Sequence, residues 1–148
     1  MKPIFDSPEE FFKVVGAEPV DALEEKKKHY LIPDQVMRRK EEIGKEAFNA
    51  GTFLGEETRH GFRPSVALIE HISEQDVRKL SVDKKTAWLF LCGRDIFKRS
   101  LKDEEKIPEG YVFIMNERGE NIGLGYAKGN LIENVLDRGD FLRRERSS

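Results

Sequence analysis

The N-terminal part of the chain has the pattern of one short, capped helix. The stretch DSPEEFFKVVG contains Ser7, which can cap a helix, and Pro8, which suits the first helical position. Glu10 completes a capping box with Ser7, and Gly16 can end the helix. The pattern therefore predicts a helix that begins at Pro8 and ends before Gly16.

Residues 26–72 carry the patterns of both strands and a helix. KKKHYLI predicts a short strand. A helix is predicted at residues 33–50, with Gly51 ending it, because apolar residues recur there at helical spacing: Val36, Met37, Ile43 and Ala47. TFLGE and FRPSVALIEHI then predict two strands joined by the polar turn ETRHG. The first half of the chain is thus mixed α and β.

The pattern changes to short strand-like runs after the polar segment at residues 73–85, SEQDVRKLSVDKK. The runs that predict strands are TAWLFL, YVFIMN, NIGLGYAK, LIENVL and DFLRRE. Between the first two, Ile96, Phe97 and Leu101 can form one short helix. Short strands at this spacing predict a small, largely antiparallel barrel. The predicted class is α+β, with a small N-terminal α/β domain at residues 1–76 and a C-terminal β-barrel at residues 77–148.

Three glycines near the C-terminal end are spaced almost like a dinucleotide-binding loop. Gly123, Gly125 and Gly129 read G-x-G-x-x-x-G, whereas the fingerprint is G-x-G-x-x-G at a strand-to-helix turn. The sequence instead predicts a hairpin with arms at residues 111–115 and 122–128 around the turn NERGEN. Glycine inside a strand marks a barrel corner, which we favour, or a close approach by another backbone, here RNA.

Charge is balanced over the chain but uneven along it. With 26 basic and 28 acidic residues, the net charge is −2, which argues against binding driven by total positive charge. Basic residues outnumber acidic ones at residues 84–102 and again at residues 138–148. Either segment alone could be an ordinary solvated surface. Two such segments in one predicted domain favour a surface that binds phosphates.

The sequence contains no feature of a membrane or secreted protein. No apolar run among the 148 residues has transmembrane length, and MKPIFDSPEE lacks the apolar core of a signal peptide. We therefore expect a cytoplasmic protein that has no membrane partner.

Candidate catalytic and metal-binding residues are sparse. Cys92 is the single cysteine and lies in the apolar run WLFLCG, which favours a small core residue over a nucleophile. His29, His60 and His71 lie in no metal-ligand spacing. Ser65, in RPSVAL, lacks the flanking glycines of a nucleophile elbow. We therefore predict no catalytic residue, no metal site and no cofactor, and a small-molecule enzyme is kept only as an alternative.

The stretch LFLCGRDIFKRSL, with the later IPEGYVFIMNERGENIGLGYAKG, resembles a PUA domain, the small RNA-binding barrel of pseudouridine synthases and archaeosine transglycosylases. The shared pattern is an apolar strand that ends in glycine, a short helix, PxG before a strand, and a hairpin that closes on IGxGxA. The resemblance implies that the barrel is PUA-like. It also implies that RNA lies against the short helix and neighbouring strand edges, which nominates Arg94, Lys98 and Arg99.

AGTFLGEETRHGFRPSVALIEHI and the final DRGDFLRRE are similar to the Nip family of large-subunit ribosome biogenesis factors, in which an α/β domain precedes a PUA domain. This resemblance implies that basic residues of the C-terminal strand contact RNA, and they match Arg143 and Arg144. Lys128 in the hairpin and Arg146 in the tail LRRER add charge.

The partner implied by both resemblances is structured RNA, either rRNA and its precursor or tRNA. Ribosome assembly factors or an RNA-modifying enzyme are the protein partners that the resemblances suggest. Related PUA modules are fused to RNA cytosine methyltransferases of the Nol/Nop/Sun kind. The alternative function is therefore a protein-interaction or RNA-targeting subunit of an RNA-modifying enzyme.

Overall fold

The first helix follows the predicted capping pattern. The computed structural model describes residues 4–20, 23–25, 28–31, 52–101 and 107–139. Helix α1 spans Pro8–Val15, and the Ser7 hydroxyl accepts a hydrogen bond from the amide of Glu10. Gly16 ends the helix in the left-handed conformation, at φ 75°. Phe11, Phe12 and Val15 form the buried side of the helix.

The first sheet has four antiparallel strands in chain order. They are β1 (Leu23–Glu25), β2 (Lys28–Leu31), β3 (Thr52–Thr58) and β4 (Gly61–Pro64). Helix α2 (Val66–Ile72) follows and packs against β3. The strands predicted from KKKHYLI and TFLGE are confirmed. The helix predicted at residues 33–50 lies outside the described residues.

The second sheet has five strands and mixed direction. It contains β5 (Lys79–Ser81), β6 (Ile96–Phe97), β7 (Gly110–Met115), β8 (Asn121–Lys128) and β9 (Leu131–Asp137). The strand order is β5-β7-β8-β9-β6, in which only the β5–β7 pair is parallel. The sheet curls into a half-barrel, so the predicted α+β class with a PUA-like barrel is confirmed. The strand predicted from DFLRRE lies outside the described residues.

Two segments predicted as strands form helices instead. TAWLFL lies in helix α3 (Lys84–Leu91), where the Asp83 carboxylate accepts a hydrogen bond from the Thr86 amide. In FRPSVALIEHI, β4 ends at Pro64 and Ser65 caps α2 by accepting from the Leu68 amide. The strand predicted from TAWLFL was wrong, and the one predicted from FRPSVALIEHI is confirmed only as far as Pro64. A short apolar run has no decisive periodicity, and the N-cap residue decides which element forms.

The segment after α3 was also predicted only in part. Ile96 and Phe97 belong to β6 rather than to a helix, and a single 3-10 turn follows at Lys98–Ser100. Cys92, expected in the core, is exposed at the C-terminal end of α3. The apolar run WLFL ends before Cys92, so the cysteine lies in the turn and not on the buried side of the helix.

The N-terminal half of the chain packs on one face of the five-stranded sheet. Phe5, Phe11 and Phe62 share a hydrophobic cluster with Phe113 and Leu124 of the sheet. A second cluster lies on the other face and includes Val112, Ile114, Ile132, Ile96 and Phe90 of α3. The division of the chain at residues 1–76 and 77–148 stays a prediction. An isolated C-terminal fragment would expose the sheet's side of the first cluster.

The hairpin predicted around NERGEN is confirmed as β7 and β8, and its two strand glycines are required by close packing. Gly119 adopts φ 78° in the turn. Gly123 is buried at φ 151°, where a Cβ would collide with the Leu136 carbonyl and would lie 2.8 Å from the Phe90 ring. At Gly125 a Cβ would lie 2.6 Å from the Ile132 side chain. Close contact with neighbouring strands and core therefore explains both strand glycines.

No helix among the described residues has the length and apolar character needed to cross a bilayer.

Candidate nucleic-acid interface

One row of side chains crosses three strands at the end of the five-stranded sheet. Lys128 of β8 is opposite Leu131 of β9, and Leu131 is opposite Phe97 of β6. Directly opposed residues of antiparallel strands point to the same face, and neighbouring strands lie about 4.8 Å apart. The row therefore extends about 10 Å across one face. We call Lys128, Leu131 and Phe97 the edge row.

The adjacent row points into the protein. Ala127, Ile132 and Ile96 are each one residue away from the edge row along their strands, and all three are buried. Because side chains alternate along a strand, this register turns the edge row to the opposite face. Phe97 is 52% exposed there, Lys128 is exposed and Leu131 is half-buried. Long-range strand pairing thus determines that Phe97 faces solvent.

Arg99 belongs to the same surface as Phe97. Its guanidinium carbon lies 5.3 Å from the centre of the Phe97 ring, within cation–π range. The 3-10 turn at Lys98–Ser100 brings the Arg99 side chain back over β6. Two predicted RNA-binding cations, Arg99 and Lys128, therefore share one face with an exposed aromatic ring, Arg99 over the ring and Lys128 two strands away.

Lys98 is placed differently from Arg99. Its side chain is only 9% exposed, and its Nζ donates a hydrogen bond to the Ile107 carbonyl at 3.3 Å. Its backbone amide donates to the Asn130 carbonyl at 2.9 Å. Through these contacts Lys98 connects the 3-10 turn to the β8–β9 turn and to the chain before β7. Its geometry suits holding the surface in place.

Arg94 lies in the turn between α3 and β6 and is exposed. Asn134 of β9 fixes that turn, because its side-chain amide donates to the carbonyls of Phe90 at 2.9 Å and Arg94 at 3.4 Å. The Asn134 backbone amide donates to the Asp95 carboxylate at 2.7 Å. Asp95 thus has a structural contact, although it also places a negative charge beside Arg94.

The row next to the edge row on the same face is the boundary with the covered part of the sheet. Tyr111, Tyr126 and Glu133 are mutually opposed and partly buried. The ring centres of Tyr111 and Tyr126 are 4.9 Å apart, and the ring centre of Phe5 lies 5.6 Å from that of Tyr111. Burial raises the pKa of the Tyr111 hydroxyl, and interaction with Tyr126 raises it further. The Tyr111 phenol is therefore held in its neutral form, with Tyr126 between it and Glu133.

The remaining predicted RNA-binding residues are Arg143, Arg144 and Arg146, which lie outside the described residues. In the described part of the chain, no group of three His, Cys, Asp or Glu side chains is arranged to hold a metal ion. A cleft of about 530 Å³ adjoins the 3-10 turn and is lined by residues that include Arg78, Leu80, Val112 and Ser100. The described RNA-binding candidates do not line that cleft.

Comparison with known proteins identifies the C-terminal sheet. Residues 78–146 match the model of the UPF0113 PUA domain. PUA domains are generally non-catalytic RNA-binding modules, and the predicted PUA domain is confirmed for this segment. A protein of Archaeoglobus fulgidus named "UPF0113 protein" is 30% identical in an alignment of 111 residues that covers 66% of this chain and 63% of the relative. The chain thus spans less than two thirds of that relative's length.

Sequence reasoning missed Phe97 and Asn134 as components of the PUA surface. Phe97 was assigned to the apolar side of a short helix, although it lies between Arg94 and Arg99 in a basic segment. An aromatic residue among cations is itself a sign of nucleic-acid contact and could have indicated Phe97. Asn134 is recognised only by its bonds to residues some 40 positions earlier in the chain, so no local signal marks it.

Proposed function

We propose that this chain binds structured RNA through the edge row and the cations beside it, and performs no chemistry of its own. The observation that carries the proposal is the position of Arg99 and Lys128, which share one face with an exposed ring at the open end of a PUA sheet. Folded RNA offers phosphates, 2′-hydroxyls and unpaired bases to such a surface. Cations on neighbouring rigid strands suit these groups.

Local charge supports binding despite the acidic balance of the whole chain. The described part of residues 84–101 carries Arg94 and Arg99 in exposed positions, and Lys128 approaches from β8. Each phosphate paired with a cation releases condensed counterions, so affinity depends on the local contacts and falls with salt. A net charge of −2 therefore does not prevent RNA binding.

The RNA is proposed to be rRNA or its precursor, and the process ribosome biogenesis in the cytoplasm. The support is the similarity of the N-terminal and final segments to the Nip family, beside the PUA match. Crosslinking of the protein to RNA in its native cells, followed by sequencing, should recover rRNA. Recovery of tRNA alone would replace rRNA as the ligand but would leave RNA binding intact.

The binding surface is tested by a charge-matched pair of double variants. Arg99→Ala with Lys128→Ala removes two cations beside the edge row, and Lys13→Ala with Arg59→Ala removes two exposed cations of the N-terminal half. Fluorescence anisotropy with an rRNA stem-loop over a salt series should show that the first variant loses affinity. Its salt slope should flatten by about one to two phosphate contacts, with the control unchanged. Equal losses in both variants, or no binding by the wild type, would overturn the proposal.

The absence of chemistry is tested separately. The purified chain should leave rRNA unmodified when it is incubated with labelled S-adenosylmethionine. Transfer of label to the RNA would make the chain an enzyme and overturn this part of the proposal.

A further inference from the structure

Phe97 occupies a position that folding alone does not explain. Its neighbour Ile96 is 3% exposed, whereas Phe97 is 52% exposed at the end of the edge row. An aromatic ring in water gives up the free energy that its burial would contribute. A polar residue at this edge position would satisfy the β6–β9 pairing equally well, because only the backbone takes part in that pairing.

We infer that Phe97 is a stacking platform for an unpaired base, and that the RNA recognised here is therefore unpaired at the point of contact. This inference rests on the proposed RNA-binding function and specifies its ligand. Arg99, whose guanidinium lies over the ring, and Lys128, two strands away on the same face, bind phosphates next to the stacked nucleotide. Every base has a π-face, so the platform selects for an unpaired base and not for a sequence.

The energetics permit a base to replace Arg99 over the ring. An exposed cation–π contact is worth about two- to fivefold in an equilibrium constant. Stacking of a base on an aromatic side chain is worth about five- to a hundredfold. Arg99 is exposed, so its long side chain can turn from the ring to a phosphate and keep a favourable contact.

Charge favours RNA over an apolar protein partner as the occupant. Arg99 lies over the ring, and Lys128 lies two strands away on the same face with the half-buried Leu131 between, so the apolar area is small. Duplex RNA would engage the cations but leave Phe97 unused, because its bases are stacked inside the helix. An exposed aromatic ring on a face that also carries cations is complementary to an unpaired nucleotide.

The test compares single-stranded and duplex RNA of the same mixed sequence, each about twelve nucleotides long, against the full chain. Phe97→Ala and Phe97→Leu should weaken binding of the single strand by about fivefold or more and leave duplex binding unchanged. Phe97→Tyr keeps the ring and should restore binding. The control is Trp88→Ala on α3, since Trp88 is another exposed aromatic residue, at 65%. It should bind both RNAs as the wild type does.

Salt separates stacking from charge in the same experiment. Loss of a ring removes no phosphate contact, so Phe97→Leu should shift the affinity at every salt concentration without changing the salt slope. Unchanged binding by Phe97→Leu, or equal losses for single strand and duplex, would overturn the platform while RNA binding stands. A wild type that binds neither RNA would instead overturn the proposed function. A protein partner would then be the candidate for contact with the Phe97 ring.

Discussion

The two ends of one sheet face have opposite environments although the same strands form both. At one end Phe113, Leu124 and Leu136 are opposed across β7, β8 and β9, and the N-terminal half of the chain buries them. At the other end Lys128, Leu131 and Phe97 are opposed across β8, β9 and β6 and remain open. Side chains of β8 alternate without a break between the two ends, and the register shift of β9 beside Gly125 keeps Leu136 on the same face as Leu131, so alternation alone does not determine burial.

The two ends differ because the N-terminal half of the chain covers one of them and not the other. Phe5 extends from the N-terminal half as far as Tyr111, and the boundary row of Tyr111, Tyr126 and Glu133 is only partly covered. Beyond that row the aliphatic and aromatic core gives way to an exposed ring, with Arg99 over it and Lys128 on the same face. An apolar residue that has a core partner contributes to stability, whereas an apolar residue among exposed cations is available for a ligand.

The largest expected difference in stability is between alanine variants of two phenylalanines on the same sheet face. Phe113→Ala should lower the free energy of unfolding by about 3–5 kcal/mol, because it leaves a cavity in the shared cluster. Phe97→Ala should lower it by less than about 1 kcal/mol, since the ring is half in water. Chemical denaturation of both variants measures the contrast. Similar losses would mean that the two ends are not energetically different.

A smaller contrast is expected between two glycines of the hairpin. Gly123→Ala places a methyl group against the Leu136 carbonyl and the Phe90 ring, which should cost about 1–3 kcal/mol or more. Gly119→Ala has open space around the new methyl group. It should lower stability by only about 1–2 kcal/mol, because alanine is disfavoured in the left-handed conformation. Thermal unfolding compares them. If Gly119→Ala were the worse variant, close strand packing would not be the reason for Gly123.

The C-terminal arginines are the second group of predicted RNA-binding cations. Replacing Arg143 and Arg144 with alanine should weaken RNA binding more than tenfold at low salt, flatten the salt slope by about one contact or more, and leave thermal stability nearly unchanged. Adjacent residues of a regular strand point to opposite faces, so a bulge or strand end is needed for both to meet one groove.

The control for that change is Lys26→Ala with Lys27→Ala, which removes the same charge from the N-terminal part. Equal losses of RNA affinity in the two double variants would mean that binding is diffuse electrostatic attraction.

The smallest effect concerns the boundary row. The pKa of Tyr111 is raised above its ordinary value of about 10, so the folded state favours the neutral phenol. This contribution to stability is complete below the unfolded pKa and is lost as pH rises through the folded pKa. Tyr111→Phe should therefore lose less stability than the wild type above pH 10, as measured by denaturation across that range. Identical alkaline slopes would contradict burial of this hydroxyl.

Local sequence signals were sufficient to predict the elements whose ends are marked by capping or turn residues. Helix α1 was predictable because Ser7, Pro8 and Gly16 mark both ends, and the β7–β8 hairpin because NERGEN separates two apolar arms. TAWLFL has no such internal marker, and Asp83, which caps the helix, lies outside the apolar run. An N-cap before a short apolar run is therefore the signal that should decide between helix and strand.

The candidate site was predictable as a basic segment but not as a surface. Arg99 and Lys128 were identified from charge and resemblance, whereas their arrangement around Phe97 depends on the pairing of β6 and β8 with β9. The inward turn of Lys98 likewise depends on the Ile107 carbonyl. Register between strands distant in sequence decides which members of a basic segment face solvent, and no local pattern encodes it.

Photocrosslinking with mass spectrometry tests most directly whether the open end of the sheet binds RNA. The full chain would be irradiated with single-stranded RNA that carries 4-thiouridine, and the crosslinked residues would be located by sequencing of peptides. Crosslinks are expected at residues 94–99 and 128–131, with further ones at residues 143–146. Crosslinks confined to residues 5–72, with none at the edge row, would contradict the account.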